Sequence, residues 1–483
     1  MHRIDQFLIV AHDVGTIFIT LSFATGLPLV VSILFQEWHL LIPMATVPFT
    51  LQILGRTLTL KPRREGEEST FTAFGAIAVI WLACALIGAF PFTIATGMPY
   101  IDAVFEAMSG WTSTGLSLVP SVDALPYTLL FWRTYMQWLG GIGIVAFTIA
   151  LAHRSDMTRF RLYRFEGRTE ALMPSVVATG LQMWKIYITL TVLSTGLLLI
   201  SGITVWDATN IAMTAISTGG FSIHTEGITF YHNRLLEMLV IPIMIAGALP
   251  FKLYYLMVRK KKLSFFGDEQ AWLLLFLIMV GTFVVFYDLS TLNRLEPVSA
   301  LRQGLFMTVA GITCCGFQIT SPYLWAKPTV FFLTFLMMIG GSSGSTAGGI
   351  KLSRVVLGIQ GQIWWFRRIF ISKHALIPFR YGGKVIPKRI AELEVSKNML
   401  IILLYNFFIF VILILVLHFQ SQMFDTSTIL FEIVSAMSNV GISTGFTSPA
   451  MVDSVKMCFI ITMWVGRLEV VPVIALISGV FRR

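Results

Sequence analysis

Charged side chains are scarce in this chain of 483 residues: Asp, Glu, Lys and Arg make up 12% of it, whereas 56% of the residues are hydrophobic. Ordinary soluble domains contain roughly a quarter charged residues. Because a water-soluble fold of this length cannot bury so much apolar surface, the composition excludes a soluble globular protein and predicts a membrane protein. The net charge of +10, from 35 basic and 25 acidic residues, then indicates topology rather than nucleic-acid binding.

Cysteine and the other metal-binding residue types are equally sparse. Cys84, Cys314, Cys315 and Cys458 lie in apolar surroundings, and none has a second Cys or a His at metal-ligand spacing. We interpret them as buried small hydrophobic residues. No cluster of His, Asp, Glu or Cys falls at one membrane depth, and no nucleotide-binding fingerprint occurs. The sequence therefore disfavours an enzyme and predicts no cofactor and no nucleotide binding by this chain alone.

Long apolar runs follow one another along the chain. Most exceed the ~20 residues that a helix needs to cross ~30 Å of hydrocarbon. They lie roughly at 14–35, 39–55, 71–96, 125–152, 175–203, 233–258, 271–289, 328–366, 398–420 and 457–480. The runs predict an all-α polytopic membrane protein with about ten spanning helices.

The connections between the runs alternate in charge. Lys and Arg cluster after the second, fourth, sixth and eighth runs, for example at 154–168 and 367–389, and the chain ends in Arg482 and Arg483. The other connections, near 97–124, 204–232, 290–327 and 421–456, contain few basic residues. Because Lys and Arg are retained on the cytoplasmic side, the asymmetry predicts that both termini are cytoplasmic. A nucleic-acid partner is not expected.

The poorly charged connections contain a fourfold internal repeat. Four stretches, 105–117, 210–222, 306–318 and 431–443, align without gaps, and each is too short to span a membrane. A hydroxyl residue recurs at Thr112, Ser217, Thr313 and Ser438, and a glycine follows three positions later at Gly115, Gly220, Gly316 and Gly441. One such pattern is typical of an ordinary turn, but four copies flanked by spanning runs predict four membrane–pore–membrane repeats.

These repeats define the expected organisation. Four repeats surround one central pore, and two additional transmembrane helices precede them. The expected units are an N-terminal helix pair at 1–69, repeat one at 70–172, repeat two at 173–268, repeat three at 269–392 and repeat four at 393–483.

Four short segments, named turn segments here, carry the expected chemistry. Non-helical backbone at membrane depth is tolerated where it lines a water-filled path, and its carbonyl oxygens can replace the hydration shell of K⁺. The short helices that precede the segments point their negative C-terminal ends at the pore, which favours a cation. The candidate potassium-binding residues are Thr112, Ser113, Thr114 and Gly115; Ser217, Thr218, Gly219 and Gly220; Thr313, Cys314, Cys315 and Gly316; and Ser438, Asn439, Val440 and Gly441.

The chain resembles the Trk/Ktr/HKT superfamily of potassium transporters, and its TrkH branch in particular, over essentially its whole length. Besides the turn segments, the motifs that carry the resemblance lie at 137–143, 313–318, 338–351 and 466–469. The resemblance implies K⁺ transport through a pore with one near-invariant glycine in each repeat. A serine in place of Gly115 would imply Na⁺ permeation, as in part of the HKT branch, so Gly115 favours K⁺.

A glycine-rich loop at 340–351 interrupts the second long helix of repeat three. Five glycines and four Ser or Thr residues in twelve positions disfavour a regular helix, because each glycine costs ~1 kcal/mol relative to alanine. A kinked helix is the alternative interpretation. The resemblance implies an intramembrane gate formed by Gly340, Gly341, Ser342, Ser343, Gly344, Ser345, Thr346, Ala347, Gly348, Gly349 and Lys351.

Arg467 lies within the last apolar run, where a charged residue is costly unless it is paired or faces water. Glu469, two positions away, faces a different side of a helix and is a poor partner. A purely structural Arg that binds protein carbonyls is one interpretation. The resemblance implies the other, an arginine that projects into the pore beneath the filter and limits permeation.

The resemblance also implies partners. It predicts a homodimer in the cytoplasmic (inner) membrane, bound to a cytosolic ring of TrkA-like, RCK-type nucleotide-binding subunits. The basic segment 367–389 is a candidate docking surface for that ring. Proton- or sodium-coupled symport through the same pore remains the alternative to passive flux, with Glu106, Glu432 and Glu469 as candidate proton-relay carboxylates.

Overall fold

The computed structural model describes residues 3–60, 70–143, 176–260, 267–370, 377–382, 384–420, 424–470 and 472–474. The basic cluster at 154–168 and the ends of the fourth and tenth apolar runs lie outside these residues. The described chain is mostly helical. The all-α membrane fold expected from the sequence is confirmed, and only one short hairpin departs from it.

The first helices form a tight pair ahead of the repeats. They span Arg3–Ala24, Leu27–Leu34 and Leu41–Thr59. Repeat one follows with Thr70–Gly88, Phe90–Thr96, a short helix at Tyr100–Trp111, and Tyr127–Ile142.

The other three repeats have the same order of elements: a long helix, a short helix of 12 to 16 residues, a turn segment, and a second long helix. Repeat two contains Val176–Leu199, Val205–Ile216, Arg234–Ala248 and Phe251–Lys260; repeat three contains Glu269–Thr291, Pro297–Ile312, Lys327–Ile339 and Leu352–Phe370; repeat four contains Lys388–Phe419, Thr426–Met437 and Asp453–Arg467. We name the four short helices, Tyr100–Trp111, Val205–Ile216, Pro297–Ile312 and Thr426–Met437, the re-entrant helices.

Five stretches of the described chain are long and apolar enough to cross a membrane without a major bend. They are Ala11–Leu34, Trp38–Thr59, Gly75–Thr96, Glu269–Thr291 and Lys388–Phe419. A sixth candidate, Arg234–Ala248 with Phe251–Val258, bends by 93°. Of the remaining expected spans, 175–203 contains the continuous helix Val176–Leu199, and the others are interrupted or run beyond the described residues.

The second long helix is interrupted at corresponding places in repeats two, three and four. In repeat two it bends at Pro250. The glycine-rich loop separates the two helices of repeat three, as the sequence predicts. In repeat four, Glu469 and Val470 adopt φ of 59° and 66° shortly after the helix ends at Arg467. In repeat one the helix ends at Ile142, before Gly143 with φ of 54°, and the described residues stop there. The interruption predicted for one repeat is therefore found in three.

The short hairpin lies between the helices of repeats three and four. Strands Phe379–Tyr381 and Lys384–Ile386 pair antiparallel, with Phe379 opposite Ile386. Phe379 packs with Trp364 in a small apolar cluster separate from the main core.

The re-entrant helices occupy the centre of the molecule. Ten of the twelve residues of Tyr100–Trp111 and eight of the twelve of Thr426–Met437 are buried, including polar ones. The long outer helices instead expose large apolar side chains such as Phe283, Phe407 and Phe410. This distribution, with apolar surface outward and polar groups inside, is that of a protein whose outer solvent is lipid.

Candidate ion pathway

The four turn segments share one backbone conformation. Their first residues, Thr112, Ser217, Thr313 and Ser438, are helical with φ between −75° and −86°. The second residues are left-handed although none is glycine: Ser113 (55°), Thr218 (52°), Cys314 (56°) and Asn439 (51°). The glycines also have positive φ: Gly115 (95°), Gly220 (72°), Gly316 (79°) and Gly441 (91°). Left-handed backbone strains an ordinary residue, so its recurrence in four repeats indicates a shared function.

The N–H groups of the turn segments bond back into their own re-entrant helices. The N–H groups of Ser113, Thr218, Cys314 and Asn439 donate to carbonyls three residues earlier, at 3.0 to 3.2 Å. The next N–H groups, of Thr114, Gly219, Cys315 and Val440, donate to carbonyls five residues earlier, at 2.8 to 3.0 Å. Among the described residues, no backbone N–H outside the helices donates to the carbonyls of the turn segments. Side chains donate to two of these oxygens, Gln137 Nε2 to Gly219 O and Thr218 Oγ1 to Ser217 O. The other backbone oxygens of the turn segments remain available to another partner.

The turn segments close into a ring, with each glycine against the next repeat in chain order. A Cβ on any of these glycines would lie 1.9 to 2.2 Å from a neighbouring carbonyl oxygen. The pairs are Gly115 with Gly219 O, Gly220 with Cys315 O, Gly316 with Val440 O, and Gly441 with Thr114 O. The fourth repeat thus meets the first, which is the geometry of four segments around one axis. Both this contact and the positive φ require glycine.

The C-terminal ends of the re-entrant helices are fixed against glycines on the second long helices. In repeats one, two and four, a Cβ on the glycine would lie 1.8 to 2.8 Å from the last carbonyl of the re-entrant helix. These pairs are Gly140 with Trp111, Gly247 with Ile216, and Gly466 with Met437. The negative ends of the helices therefore stay close to the ring, where they favour a cation.

A cavity of about 240 Å³, named the vestibule here, opens at the glycine end of the ring. All four ring glycines line it, together with Ser117, Ser222, Gln318 and Ser443. These four are the polar residues two positions beyond the glycines. The vestibule is thus a single space shared by the four repeats.

Two amides, the buried Gln137 and the half-buried Gln318, each hold neighbouring parts of the ring together. Gln137 donates from Nε2 to Gly219 O (2.7 Å) and accepts at Oε1 from Phe221 N (2.9 Å). Gln318 donates to Ser443 O (2.9 Å) and accepts from Ser443 N (3.1 Å). Each amide uses its donor and its acceptor on the backbone of another repeat, which fixes the spacing of the segments.

Glu106 and Glu432 occupy corresponding positions in repeats one and four, but they have different hydrogen-bond partners. Glu106 accepts from Arg133 Nε (2.7 Å) and from Leu118 N (3.0 Å), and both charged side chains are buried. Arg133 also donates to Ser222 O (2.8 Å) and stacks on Phe221 at 4.2 Å. This ion pair joins the exits of the first and second turn segments.

Glu432 accepts hydrogen bonds from neutral donors. These are Ser443 Oγ (2.6 Å), Thr444 N (2.6 Å), Thr444 Oγ1 (2.9 Å) and Thr447 Oγ1 (2.7 Å). The side chain is fully buried behind the exit of the fourth turn segment. Its negative charge is stabilised by dipoles rather than by a counterion in these contacts, and it adds to the cation-favouring potential at the vestibule.

The glycine-rich loop crosses the opposite, helix-proximal end of the ring. It contacts repeat two through Thr346, whose hydroxyl lies 2.8 Å from Ile216 O and 2.9 Å from Gly247 O. It contacts repeat four at Gly348, where a Cβ would lie 2.1 Å from Ser438 O. The loop is not a continuous helix, so the kinked-helix alternative is wrong, and its polar groups bond to the pore backbone.

Further backbone hydrogen bonds hold the loop in place. Ser342 N donates to Ala248 O (3.0 Å), and Phe251 N donates to Gly344 O (3.1 Å). Both bonds use groups released where the second helix of repeat two bends before Phe251. Lys351, at the end of the loop, donates to Ala347 O within the loop.

Arg467 binds the carbonyls of two other repeats. Its Nη2 donates to Gly140 O (2.5 Å) and Gly141 O (3.1 Å), and its Nη1 donates to Thr346 O (3.1 Å). The guanidinium also lies 5.5 Å from the centre of the Trp81 ring. Glu469 forms an ion pair with Arg354 rather than with Arg467, in agreement with the expected mismatch. Arg467 thus connects repeats one and four to the glycine-rich loop.

Hydrogen bonds of Asp123 with His224 and Thr225 join the connections of repeats one and two beside the vestibule. Asp123 Oδ1 lies 2.7 Å from His224 Nδ1, and Asp123 Oδ2 accepts from Thr225 N (3.0 Å). Hydrogen bonding from the Thr225 side chain, followed by that from His224 and the Thr225 backbone, lowers the pKa of Asp123 to about 2, although burial acts in the opposite direction. The carboxylate is therefore ionised throughout the physiological pH range.

The structure brings the sixteen predicted turn residues into one ring and places the predicted loop and Arg467 against its helix-proximal end. Sequence reasoning missed the roles of Arg133 and of the buried pair of Lys456 with Asp102. A charged residue inside an apolar run was a usable signal for Arg133, whereas Lys456 directly precedes the last run. Gln137 was noted only as the first residue of the motif at 137–143, and its contacts with repeat two were not predicted. Among the described residues, no group of three or more His, Cys, Asp or Glu could hold a metal ion.

Comparison with known proteins agrees with this architecture. The profile of a family described as TrkH, cation transport protein, matches residues 46–480. An uncharacterised cation transporter of Methanocaldococcus jannaschii is 31% identical over 98% of this chain and 95% of its own. The Trk system potassium uptake protein TrkH of Halomonas elongata is 26% identical, over 97% and 98% of the two chains. The crystal structure of the potassium transporter TrkH from Vibrio parahaemolyticus, 24% identical, superposes with a TM-score of 0.86 over 99% of this chain and 100% of its own, which establishes the shared fold.

Proposed function

Since the chain belongs to the TrkH family of cation transport proteins, which are transporters and not enzymes, we propose that it takes up K⁺ through the ring of turn segments. The observation that carries the proposal is the closed cycle of glycine–carbonyl contacts. Four segments whose N–H groups bond to their own helices leave backbone oxygens to replace the hydration shell of K⁺. The similar proteins of Halomonas elongata and Escherichia coli bear the description of Trk system potassium uptake proteins, which supports K⁺ as the ion.

The proposed binding residues are the sixteen of the turn segments. In repeats one and three, the hydroxyls of Thr112 and Thr313 donate to helix carbonyls at 2.6 Å, so that their oxygens can act only as acceptors. The Thr112 oxygen already accepts from Thr114 Oγ1 at 2.7 Å, which leaves it one lone pair for a cation. The proposed order along the path is vestibule, ring glycines, hydroxyl residues, and then the glycine-rich loop. The buried charge of Glu432 and the ends of the re-entrant helices lower the energy of a cation along this path.

The proposed gate consists of the glycine-rich loop and Arg467. The loop crosses the helix-proximal end of the ring, and Arg467 fixes it to repeats one and four through carbonyl contacts. A guanidinium at this place repels cations and blocks the path sterically. Opening requires the loop to give up its bonds to Ile216, Gly247 and Ala248.

The proposed assembly follows the family pattern. Repeat boundaries at 70–172, 173–268, 269–392 and 393–483 follow the helix pair at 1–69, both termini face the cytoplasm, and the protein lies in the cytoplasmic membrane as a homodimer. A TrkA-like, RCK-type subunit regulates it by binding nucleotide on the cytosolic side. The segment 367–389 is a suitable docking surface. It carries Arg380 and Lys384 on the hairpin, and it follows the helix that begins directly after the glycine-rich loop.

Coupled symport is the second candidate. Glu432 is a buried carboxylate at the vestibule whose described hydrogen bonds come from neutral groups, so protonation there needs no ion pair to break. Proton coupling predicts that K⁺ uptake depends on the proton gradient and that Glu432→Gln removes this dependence. Uptake that follows the K⁺ gradient alone, in the absence of Na⁺ and of a proton gradient, supports passive flux.

Growth of a K⁺-uptake-deficient strain at low K⁺ tests the proposal. We expect rescue by the wild type and by Gly445→Ala, because Gly445 has φ of 96° but no atom within 4 Å of an added Cβ. Gly316→Ala should not rescue growth, because its Cβ would meet Val440 O at 1.9 Å. Membrane insertion is checked by immunoblot, and a suitable RCK-type subunit is supplied. Failure of the inserted wild type to rescue would contradict the K⁺ assignment.

A further inference from the structure

Thr346 is the residue of the glycine-rich loop that makes the densest polar contacts with the pore. Its hydroxyl oxygen has three oxygen neighbours on repeat two: Ile216 O at 2.8 Å, Gly247 O at 2.9 Å and Thr218 Oγ1 at 3.3 Å. Its N–H donates to Gly247 O at 3.3 Å, and its carbonyl accepts from Arg467. The side chain is 1% exposed. A single buried residue therefore joins the loop, repeat two and the pore arginine.

The two carbonyls are available to Thr346 because the helices that carry them end there. Ile216 is the last residue of the second re-entrant helix, so its carbonyl lies beyond the helical hydrogen-bond ladder. Gly247 lies just before the bend of the next helix, where Pro250 has no N–H and Phe251 N donates to Gly344 O instead. The helix termini thus present two acceptor oxygens at one point.

The arrangement around the Thr346 hydroxyl is that of a cation site. A hydroxyl has one proton and can satisfy only one of the two carbonyls fully, yet both lie within 2.9 Å of its oxygen. The third neighbour, Thr218 Oγ1, belongs to the second turn segment, and the whole group lies at the negative end of a re-entrant helix. Several oxygens at the negative end of a helix dipole are the environment that K⁺ prefers.

We propose that Thr346 fills a latent cation site, formed by Ile216 O, Gly247 O and Thr218 Oγ1, and that a permeating K⁺ or Rb⁺ replaces it when the loop withdraws. The inference rests on the proposed K⁺ transport and gating. Thr346 closes the path by satisfying the oxygens that the ion needs. Arg467 likewise donates to Gly140 O and Gly141 O and so keeps these oxygens from the ion. Because Arg467 donates to Thr346 O, Thr346 and Arg467 leave their carbonyl partners together when the loop withdraws.

The first arm of the test measures Rb⁺ uptake by the full-length protein in proteoliposomes. Thr346→Val keeps the shape of the side chain and removes the hydroxyl, whereas Thr346→Ser keeps the hydroxyl. We expect Thr346→Val to raise the maximal uptake rate about tenfold, the equivalent of one hydrogen bond, and Thr346→Ser to resemble the wild type. Thr334→Val is the matched control, because the buried Thr334 hydroxyl bonds to Val330 O of its own helix and should leave uptake unchanged.

The second arm tests the cation site itself. In the Thr346→Val background, adding Thr218→Val removes one oxygen of the latent site, and we expect the half-saturating Rb⁺ concentration to rise about tenfold for the loss of one such contact. If Thr218 only held the loop closed, the added substitution would leave half-saturation unchanged. Rb⁺ should also raise the melting temperature of Thr346→Val more than that of Thr346→Val/Thr218→Val, since a bound ligand stabilises the folded protein.

The outcomes separate this inference from the proposed function. If Thr346→Val, checked by size-exclusion chromatography, takes up Rb⁺ at the wild-type rate while Arg467→Ala is faster, gating stands and the role of Thr346 is overturned. Unchanged half-saturation in the double variant overturns the cation site. If the wild type takes up neither K⁺ nor Rb⁺, the proposed function itself fails. Should Thr346→Val not fold, Thr346→Ala carries the same expectation.

Discussion

The four repeats are equivalent at the vestibule end of the ring and unequal at its helix-proximal end. At the vestibule end, four repeats contribute equivalent glycines with one backbone conformation, and each touches the next repeat in turn. At the helix-proximal end, the repeats are unequal: repeat three supplies the glycine-rich loop, repeat four supplies Arg467, and repeats one and two supply carbonyl acceptors. Equivalence at one end suits the coordination of an ion, whereas inequality at the other end lets one element open the path.

Substitution of a ring glycine should have the largest effect on uptake. Each added Cβ would lie within 2.2 Å of a carbonyl oxygen, so alanine at Gly115, Gly220, Gly316 or Gly441 should displace two segments at once. We expect all four variants to lose Rb⁺ uptake by a comparable factor in proteoliposomes. If one glycine tolerates alanine while the other three do not, the repeats are not equivalent and the comparison fails.

Arg467→Ala should have the next largest effect, in the opposite direction. The guanidinium donates to three carbonyls, and hydrogen bonds from a charged group contribute ~1.5–3 kcal/mol each. We expect cation uptake to rise on the order of a hundredfold as the closed state loses these bonds. Arg467→Lys, which keeps the charge but has no fork of donors, should lie between the wild type and Arg467→Ala. Equal or slower uptake at equal protein in the membrane would show that Arg467 is structural.

The two carboxylates of the repeat offer a comparison within the ring. Glu106→Gln leaves Arg133 buried without its counterion and should cost about 3–5 kcal/mol, whereas Glu432→Gln loses bonds to neutral donors and should cost about 1–3 kcal/mol. Thermal unfolding of the purified protein measures both. Glu106→Gln/Arg133→Met should recover part of the loss, because it removes both charges. Equal destabilisation by the two single substitutions would contradict the distinction.

The smallest effect is expected at the vestibule rim. The pKa of Asp123 is lowered to about 2, so its tie to His224 and Thr225 contributes to folding stability above the usual Asp pKa and is lost as pH falls towards 2. The difference in melting temperature between the wild type and Asp123→Asn should therefore shrink as pH falls below about 4. A difference that keeps its full size at about pH 2 would assign the effect to another group.

The sequence predicts the regular end of the ring well. The ring glycines and the preceding hydroxyl residues recur at a fixed spacing, so the four copies can be aligned from the sequence alone. The glycine-rich loop is equally visible because its composition is incompatible with a helix. Apolar runs also predict most of the unbroken spanning helices within a few residues, as for 271–289 against Glu269–Thr291, although Lys388–Phe419 begins ten residues before the run at 398–420.

The irregular end depends on contacts that no single segment contains. The interruption at Glu469 occurs within a run whose apolar composition suits a continuous helix, and only packing against the re-entrant helix shows why the chain breaks there. The pairing of Glu106 with Arg133 joins residues 27 positions apart, and that of Lys456 with Asp102 joins different repeats. Such partners depend on the order of repeats around the ring, which the alignment of four similar segments leaves open.

The ratio of Rb⁺ to Na⁺ uptake, measured for the wild type and Gly115→Ser in proteoliposomes, tests most directly whether the ring selects the ion. We predict that the wild type favours Rb⁺ and that Gly115→Ser lowers the ratio, because the added side chain displaces Gly219 O from its position beside Gly115. Gly445→Ala, outside the ring, should keep the wild-type ratio. An unchanged ratio in a Gly115→Ser protein that folds and transports would contradict selection by the ring.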